Sequence, residues 1–369
     1  MRRTCPSMLC SCLAALAMAS ALASDDLAPL SDEFNDSATL GDWLRIHETE
    51  QWFADQLQTY DIGATTPGAM TLRPFTVSWF EDYRGPLVYK NVTGDVAITA
   101  GVRAEAPGGG LPASDFSLAG VMIRVPLNIT PATWTPGGED FFFLSTGRGA
   151  NPGSFQYEVK ETLDSDSNLN LQPAPGPEST LRLVKIGGFM IALRREPGGA
   201  WVVHRRYPQD GRFDGDLQVG LVAYTDYPTV STFAPFAHNG AVIPGGNPDL
   251  VATFDFARFR RPELPPALVG RDLADPGQVS DGDLLDFLGE ALDTTPPCAP
   301  ADITTDGDAS GLPDGIVTLS DFSYYLSIWS ANAPAADTTT DGTSNGLPDG
   351  DVTLSDFSYY LTLWSAGCG

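Results

Sequence analysis

The chain holds 369 residues, more than one ordinary domain needs, and 21 Lys and Arg against 47 Asp and Glu leave a formal net charge of -26. It has no clustered basic residues that would release counterions from nucleic acid or grip an acidic membrane surface, so both partner classes are excluded. With 38 Gly, 30 Pro and 42% apolar residues, the composition describes a turn-rich, mainly β protein rather than a disordered one.

Residues 1–23 read as a signal peptide: Arg2 and Arg3 begin them, Leu13 to Ala19 is apolar, and Ala21 to Ala23 offers a small-residue cleavage site before Ser24. A buried apolar helix is the plainer alternative. No other apolar run approaches the ~20 residues that span a bilayer. The predicted location is therefore secreted or extracellular, at the cell surface, with no transmembrane segment.

Residues 24–261 show little helical periodicity and many short runs of β-forming residues between Gly, Pro, Asn and Asp. Examples are Val96 to Val102, Gly120 to Val125, Phe141 to Leu144, Phe155 to Val159, Leu217 to Tyr224 and Val251 to Phe259. Leu181 to Ile186, Gly187-Gly188 and Phe189 to Leu193 read as a hairpin, and Trp201 to His204 as a further strand. This density of strands predicts one antiparallel sandwich, with Trp43 and Trp201 in its core.

Several short stretches carry a family resemblance: Asp32-Glu33-Phe34 leading to Trp43, Trp79 with Gly85 to Lys90, Val92 to Val96, Ala119 to Arg124, Trp201, Val219 to Ala223 and Phe254 to Phe256. Through them the region resembles the concanavalin-A-like lectin and glucanase sandwiches, including the C-terminal domain of β-xylosidases. The resemblance implies a jelly roll of two curved sheets, in some members binding sugar on the concave face. It also implies one structural calcium ion near Asp32 or Glu33 with Asp255, where the first and last strands meet.

Retaining glycosidases on such a fold place two carboxylates about 5.5 Å apart, from a strand carrying a Glu-x-Asp-x-x-Glu pattern or a close variant. That pattern is missing; Glu81-Asp82, Glu139-Asp140 and Glu158 with Glu161 lack the spacing, and solvated strand ends explain them better. His47, His204 and His238 are scattered, with no nucleophile elbow, zinc motif or phosphate loop. No catalytic residue is therefore assigned. Sugar recognition needs exposed aromatic faces, and Trp52, Trp79, Tyr83 and Trp134 stand in loop-like contexts that suit this. Burial in the core is the alternative for each of them.

Residues 262–297 are Pro-rich and acidic, and read as a tether around one short helix. Leu284, Leu285, Phe287, Leu288 and Leu292 could bury one face of it against a neighbouring domain.

The strongest pattern lies in residues 298–369. Ala301 to Ser330 and Ala336 to Ser365 repeat at an offset of 35 with 23 identities in 30 positions. Calcium wants six to eight oxygen ligands, and an EF-hand loop supplies acids at positions 1, 3, 5 and 12 and a carbonyl at 7. Asp314 and Asp349 fit position 5, Ile316 and Asp351 position 7 through their carbonyls, and Asp321 and Asp356 position 12. Asp302 and Asp306, then Asp337 and Asp341, stand upstream, with Asp302 twelve residues before Asp314 where an uninterrupted loop needs four. Two calcium ions are expected, because the segment holds ten Asp and no Lys, Arg or Glu. The plainer account of Thr318-x-x-Asp321 is helix capping without metal. Leu319, Phe322, Leu326 and Trp329, and their counterparts Leu354, Phe357, Leu361 and Trp364, predict two amphipathic helices. Cys298 and Cys368 bracket the segment, and export makes a disulfide between them the natural pairing, with free thiols the alternative.

This tandem of calcium loop and helix resembles the dockerin type I family in a divergent, small α-helical, EF-hand-like form. The resemblance implies calcium-dependent folding and docking onto a cohesin-like or other cell-surface receptor, with Leu319-Ser320 and Leu354-Ser355 facing it. The whole chain then reads as a secreted, non-catalytic carbohydrate-binding sandwich with a docking module, its partners a polysaccharide or glycan and a receptor protein. A divergent glycoside hydrolase attached through the same module and a structural surface protein are the alternatives.

Overall fold

Two-residue alternation of side chains builds the sandwich, because strand after strand has an apolar set to bury on each face. The computed structural model describes residues 25–51, 54–293, 301, 303–304, 317–342 and 349–366. Residues 1–23, Trp52, Cys298, Asp302, Asp306, Asp314, Ile316 and Cys368 lie outside the described residues.

In chain order the elements are β1 (Leu44–Arg45), α1 (Ile46–Thr49), β2 (Leu57–Ile62), β3 (Met70–Pro74), β4 (Leu87–Thr93), β5 (Val96–Glu105), β6 (Ser117–Arg124) and β7 (Phe141–Arg148). Next come β8 (Gln156–Leu163), β9 (Asp166–Pro173), β10 (Glu178–Ile186), β11 (Phe189–Arg195), β12 (Trp201–Pro208) and β13 (Asp216–Tyr224). The chain continues with α2 (Tyr227–Val230), α3 (Pro235–Asn239), β14 (Val251–Arg260), α4 (Asp281–Leu288), α5 (Leu319–Ser330) and α6 (Leu354–Ala366). The strands form two antiparallel seven-stranded sheets. One, the front sheet, runs β1-β4-β13-β6-β7-β8-β9, and the other, the back sheet, runs β12-β11-β10-β5-β14-β3-β2. The hairpin expected around Gly187 forms, with Ile186 opposite Phe189 and Gly187 at φ 51°.

Between the sheets pack Ala119, Val121 and Ile123 of β6, Phe142 and Leu144 of β7, Ile98 and Ala100 of β5, and Phe254 and Phe259 of β14. Trp43 joins this core at 4% exposure. The alternate residues of the same strands are apolar too, so each sheet needs a second cover. On the front sheet Leu118, Met122, Phe141, Phe143, Val222 and Tyr224 pack against Val77 and Trp79 from the loop before β4. On the back sheet Val184, Ile186, Ile191, Leu193 and Trp201 are covered by Leu273, Val279, Leu284 and Leu288.

That second cover is the segment read as a tether. Ser280 caps α4 through a reciprocal pair with Asp283, which starts the helix where its apolar face meets the sheet. Leu284 and Leu288 are fully buried and contribute about 1.5–3 kcal/mol each. Buried Arg182 donates from one nitrogen to the Leu288 and Gly289 carbonyls at 2.6 and 2.7 Å, and from another to Asp293. Asp293 also accepts from Arg195 and from Trp201 Nε1, both at 2.7 Å. The chain therefore stays on the back sheet as far as Asp293.

In the tail, α5 and α6 pack through Phe322, Tyr325, Trp329, Phe357, Tyr360 and Trp364. The pairing is reciprocal. Trp329 Nε1 donates to the Thr353 carbonyl and Trp364 Nε1 to the Thr318 carbonyl, each at 2.7 Å.

Candidate functional site

The outer face of the front sheet carries the chemistry. Arg124, the last residue of β6, is fully buried there among Glu50, Glu139 and Gln218. Its NH1 lies 2.6 Å from Glu50 and its Nε 2.8 Å from Glu139. Arg84 from the covering loop pairs with the same two carboxylates, at 2.8 Å from Glu139. Burial works against the Glu139 charge, but the Arg124 and Arg84 guanidiniums outweigh it and hold the carboxyl below its usual range. Two cations and two anions close the network and pin α1 and the 75–86 loop onto the sheet.

Further along the same face, Lys160 of β8 contacts Glu158 at 2.9 Å and donates to the Trp79 carbonyl at 2.7 Å. Phe80, Phe143 and Tyr224 surround its ammonium at 4.8 to 5.8 Å. Burial pulls the lysine down, and Glu158 opposes it. Tyr224 donates to Glu158 at 3.2 Å. Glu50, Glu139 and Glu158 are each ion-paired and at most 4% exposed. None of these three is presented as the open acid or base that glycoside cleavage requires.

Above this layer lies an aromatic rim. Tyr227 of α2 meets Phe80, Tyr83 and Phe116 edge-on at 5.4, 6.4 and 5.7 Å. Tyr83 packs on His238 of α3 at 5.3 Å and donates its hydroxyl to the Phe233 carbonyl at 2.8 Å. Asn239 fastens α3 to the covering loop, accepting from Arg84 N at 2.9 Å and donating to the Asp82 carbonyl at 2.8 Å. Asp82 in turn accepts from Gly137 N at 2.9 Å, which braces the 126–140 loop. On these two braced loops Trp134 and Phe236 meet at 5.6 Å, tilted by 48°.

Of the expected sugar platforms, Trp79 is corrected outright: it is 0% exposed, packs edge-on against Phe141 at 5.3 Å and donates Nε1 to the Pro86 carbonyl. Tyr83 is corrected likewise, at 8% exposure beneath α3. Trp134 is half-buried with Phe236 beside it, and Phe236, 47% exposed, was missed because a lone Phe in a five-residue helix carries no periodic signal. At the strand meeting, where a structural calcium ion is expected, the acids have protein partners. Asp32 spends both carboxylate oxygens on Phe34 N and Trp43 Nε1, and Glu33 pairs with Arg258 at 2.6 and 2.8 Å. Asp255 is exposed on β14.

In the tail, Asp321 and Asp356 are fully buried, and each accepts three backbone hydrogen bonds of 2.7 to 2.9 Å. Through these N–H donors both residues act as caps that tie the start of their repeat to its helix. The upstream acids of the second repeat behave differently. Asp337 accepts from Asp349 N and Gly350 N, Asp349 from Asp341 N and Asp351 N, and Thr353 bonds Asp341. Hydrogen bonds thus link Asp337, Asp341 and Asp349 across the segments 337–342 and 349–353. Among the described residues no three acidic, His or Cys side chains meet as a formed metal centre. No described helix is long and apolar enough to cross a membrane.

No family model and no curated protein matches the sequence. Among solved structures, a functionally unknown protein from Saccharomyces cerevisiae aligns at 16% identity and TM-score 0.38 over 61% of this chain and 99% of its own. The GH43 BlXynB protein from Bacillus licheniformis aligns at 11% and 0.41 over 63% of this chain, which spans only 39% of that enzyme. The metal-free lectin I-B4 from Griffonia simplicifolia aligns at 14% and 0.38, over 62% and 98%. These scores are too low to decide function, which rests on the residues described above.

Proposed function

We propose that this is a secreted, non-catalytic glycan-binding sandwich held at a cell surface by a calcium-dependent, dockerin-like tail. The observation that carries the tethering is a matched pair of exposed leucines. Leu319 and Leu354, the first residues of α5 and α6, are 71% and 68% exposed, and Leu326 and Leu361, about two turns further along the same face, are 36% and 38% exposed. A repeat that buries one Tyr and packs its Trp against its twin, yet leaves both leucine pairs in water, has apolar surface to spare for a receptor.

Asp337, Asp341 and Asp349 suit calcium, since they are hard oxygen donors linked by hydrogen bonds without a basic neighbour in the segment. The bound ion would neutralise them and fix their segments against α6. A Cys298–Cys368 bridge would close the unit. The engaged state of Glu50, Glu139 and Glu158 supports binding without turnover, and no observation favours hydrolysis.

The test is cell association with and without residues 294–369, in calcium and in chelator, alongside reducing-sugar release from a polysaccharide panel. Calcium-dependent association that vanishes with the tail, and no sugar release, is the expected result. Association unaffected by deletion would remove the docking reading, and sugar release would remove the non-catalytic one.

A further inference from the structure

Resting on the glycan-binding reading, we infer that the sugar lies in the seam between the two sheets, along the edge strands β9 and β12, and that it is an uncharged chain read through its hydroxyls. β9 ends the front sheet and β12 the back sheet. Contacts across the sandwich bring these ends together. Tyr157 of β8 meets His204 of β12 at 6.0 Å, the Arg194 guanidinium of β11 stands 4.5 Å from the centre of the Tyr157 ring, and Phe142 of β7 meets Tyr207 of β12 at 5.2 Å.

Both edge strands turn polar side chains inward. Asn170 pairs with Val159 and Gln172 with Tyr157, both core residues, and cross-strand partners share a face. Asn168, two residues earlier, follows on that face. On the other wall Arg205 pairs with core Ala192 and Tyr207 with core Met190, and Arg205 lies beside the Tyr207 hydroxyl. Protection of a sheet edge accounts for an inward charge such as Arg205 but not for the amides, since Asn and Gln ladders favour strand pairing. At about 3.4 Å per residue the three amides span about 14 Å, longer than one sugar ring. Each amide both donates and accepts, as a sugar hydroxyl does. His204 adds a second signal. It is 7% exposed and accepts from Arg194 Nε at 3.2 Å through Nδ1, so the neutral ring carries its proton on Nε2, which has no hydrogen-bond partner among the described residues. With Nδ1 turned to β11, Nε2 is on the side where β12 has no further strand, and a buried donor there calls for an oxygen. Charge in the seam balances: Glu196 pairs with Arg194 at 3.2 Å, and Glu161 and Arg205 both act on Tyr207, which favours an uncharged ligand.

The experiment retains the full chain, in calcium, on insoluble cellulose, xylan, mannan and chitin, with pectate as the acidic control. Retention on a neutral polymer, absent on pectate, should weaken about threefold to tenfold in Asn170→Ala and about tenfold in Arg205→Ala, the loss of one neutral and one charged hydrogen bond. Asn170 is half-buried and Arg205 exposed, so both variants should keep the native melting temperature. Arg103→Ala, which removes a cation from the outer face of the back sheet, should leave retention unchanged. Undiminished retention in both Asn170→Ala and Arg205→Ala overturns the seam assignment while leaving glycan binding intact. Equal weakening in Arg103→Ala marks a general charge effect and overturns it too, and retention on pectate overturns the uncharged ligand. Retention of the native chain on none of the polymers overturns glycan binding itself.

Discussion

The rings of Tyr325 and Tyr360 lie parallel, 3.7 Å apart and 4° from coplanar, and each hydroxyl donates at 2.9 Å to a carbonyl that opens a repeat, Ala336 for one and Ala301 for the other. The two copies of the duplicated segment therefore close on each other through equivalent contacts. Removing one hydroxyl strands a buried carbonyl. Tyr360→Phe should cost the tail about 1 kcal/mol and Tyr325→Ala about 3–5 kcal/mol. Urea unfolding followed by Trp329 and Trp364 fluorescence reads this out. A double alanine variant whose cost equals the sum of the singles would contradict the reciprocal stack.

Chelation should lower the helical circular dichroism of α5 and α6 and leave the melting of the sandwich in place. Asp349→Asn should raise the calcium concentration needed for recovery. Asp321→Asn should destabilise the cap by about 1–2 kcal/mol without shifting that calcium midpoint. Equal shifts in both variants would show that Asp321 is a ligand after all.

Arg124 offers a test of the covering layer. Replacing it by Met leaves Glu50 and Glu139 buried with Arg84 as their remaining cation, and should cost about 3–5 kcal/mol in urea unfolding. Adding Glu139→Gln should restore part of the loss, since one uncompensated charge is then gone. A double variant weaker than Arg124→Met alone would mean that packing, not charge, dominates the site.

His238 and His204 make stability depend on acid. Burial holds both well below the ordinary value of 6.5, at about 4, with Asn239 opposing the shift at His238, and Arg194 and Arg205 reinforcing it at His204. Above 6.5 both states are neutral and the full stability is present. Between 6.5 and about 4 the unfolded chain binds protons that the folded one refuses, so stability falls with falling pH, by up to roughly 3 kcal/mol per histidine. His238→Phe should remove about half of that slope in denaturation measured between pH 7 and pH 4.5. An unchanged slope would mean that His238 protonates in place.

Much of the sandwich was legible because its central strands are apolar on both faces. Phe141 to Leu144 is a continuous apolar run, the pattern of a strand covered on both sides. Read to its end, that run asks for a cover, and Trp79 supplies it. Trp79 looked like a platform because its own neighbours are turn residues, and local sequence does not say which sheet face a loop will fold onto. Strand β9 was invisible for a related reason. Its residues Asn168, Asn170 and Gln172 sit on the outermost strand of the front sheet, where burial is partial and alternation fades. In the tail the repeat was plain, but the division of labour among its acids was not. A carboxylate that caps a helix and one that sits in the loop before it are the same letter, and the burial of Asp321 and Asp356 is what separates them.

The clamp of Asp293 by Arg182, Arg195 and Trp201 gives the sandwich an orientation as well as stability. The described residues stay on the back sheet as far as Asp293, whereas Trp134 on its loop and Phe236 in α3 stand over the front sheet. A molecule pulled by its tail is thus pulled through its rear side, with the load entering at buried guanidiniums rather than at the aromatic loops. Copies moored in this way would all present the same side outward, and tension on the mooring would leave the shape of that side undisturbed.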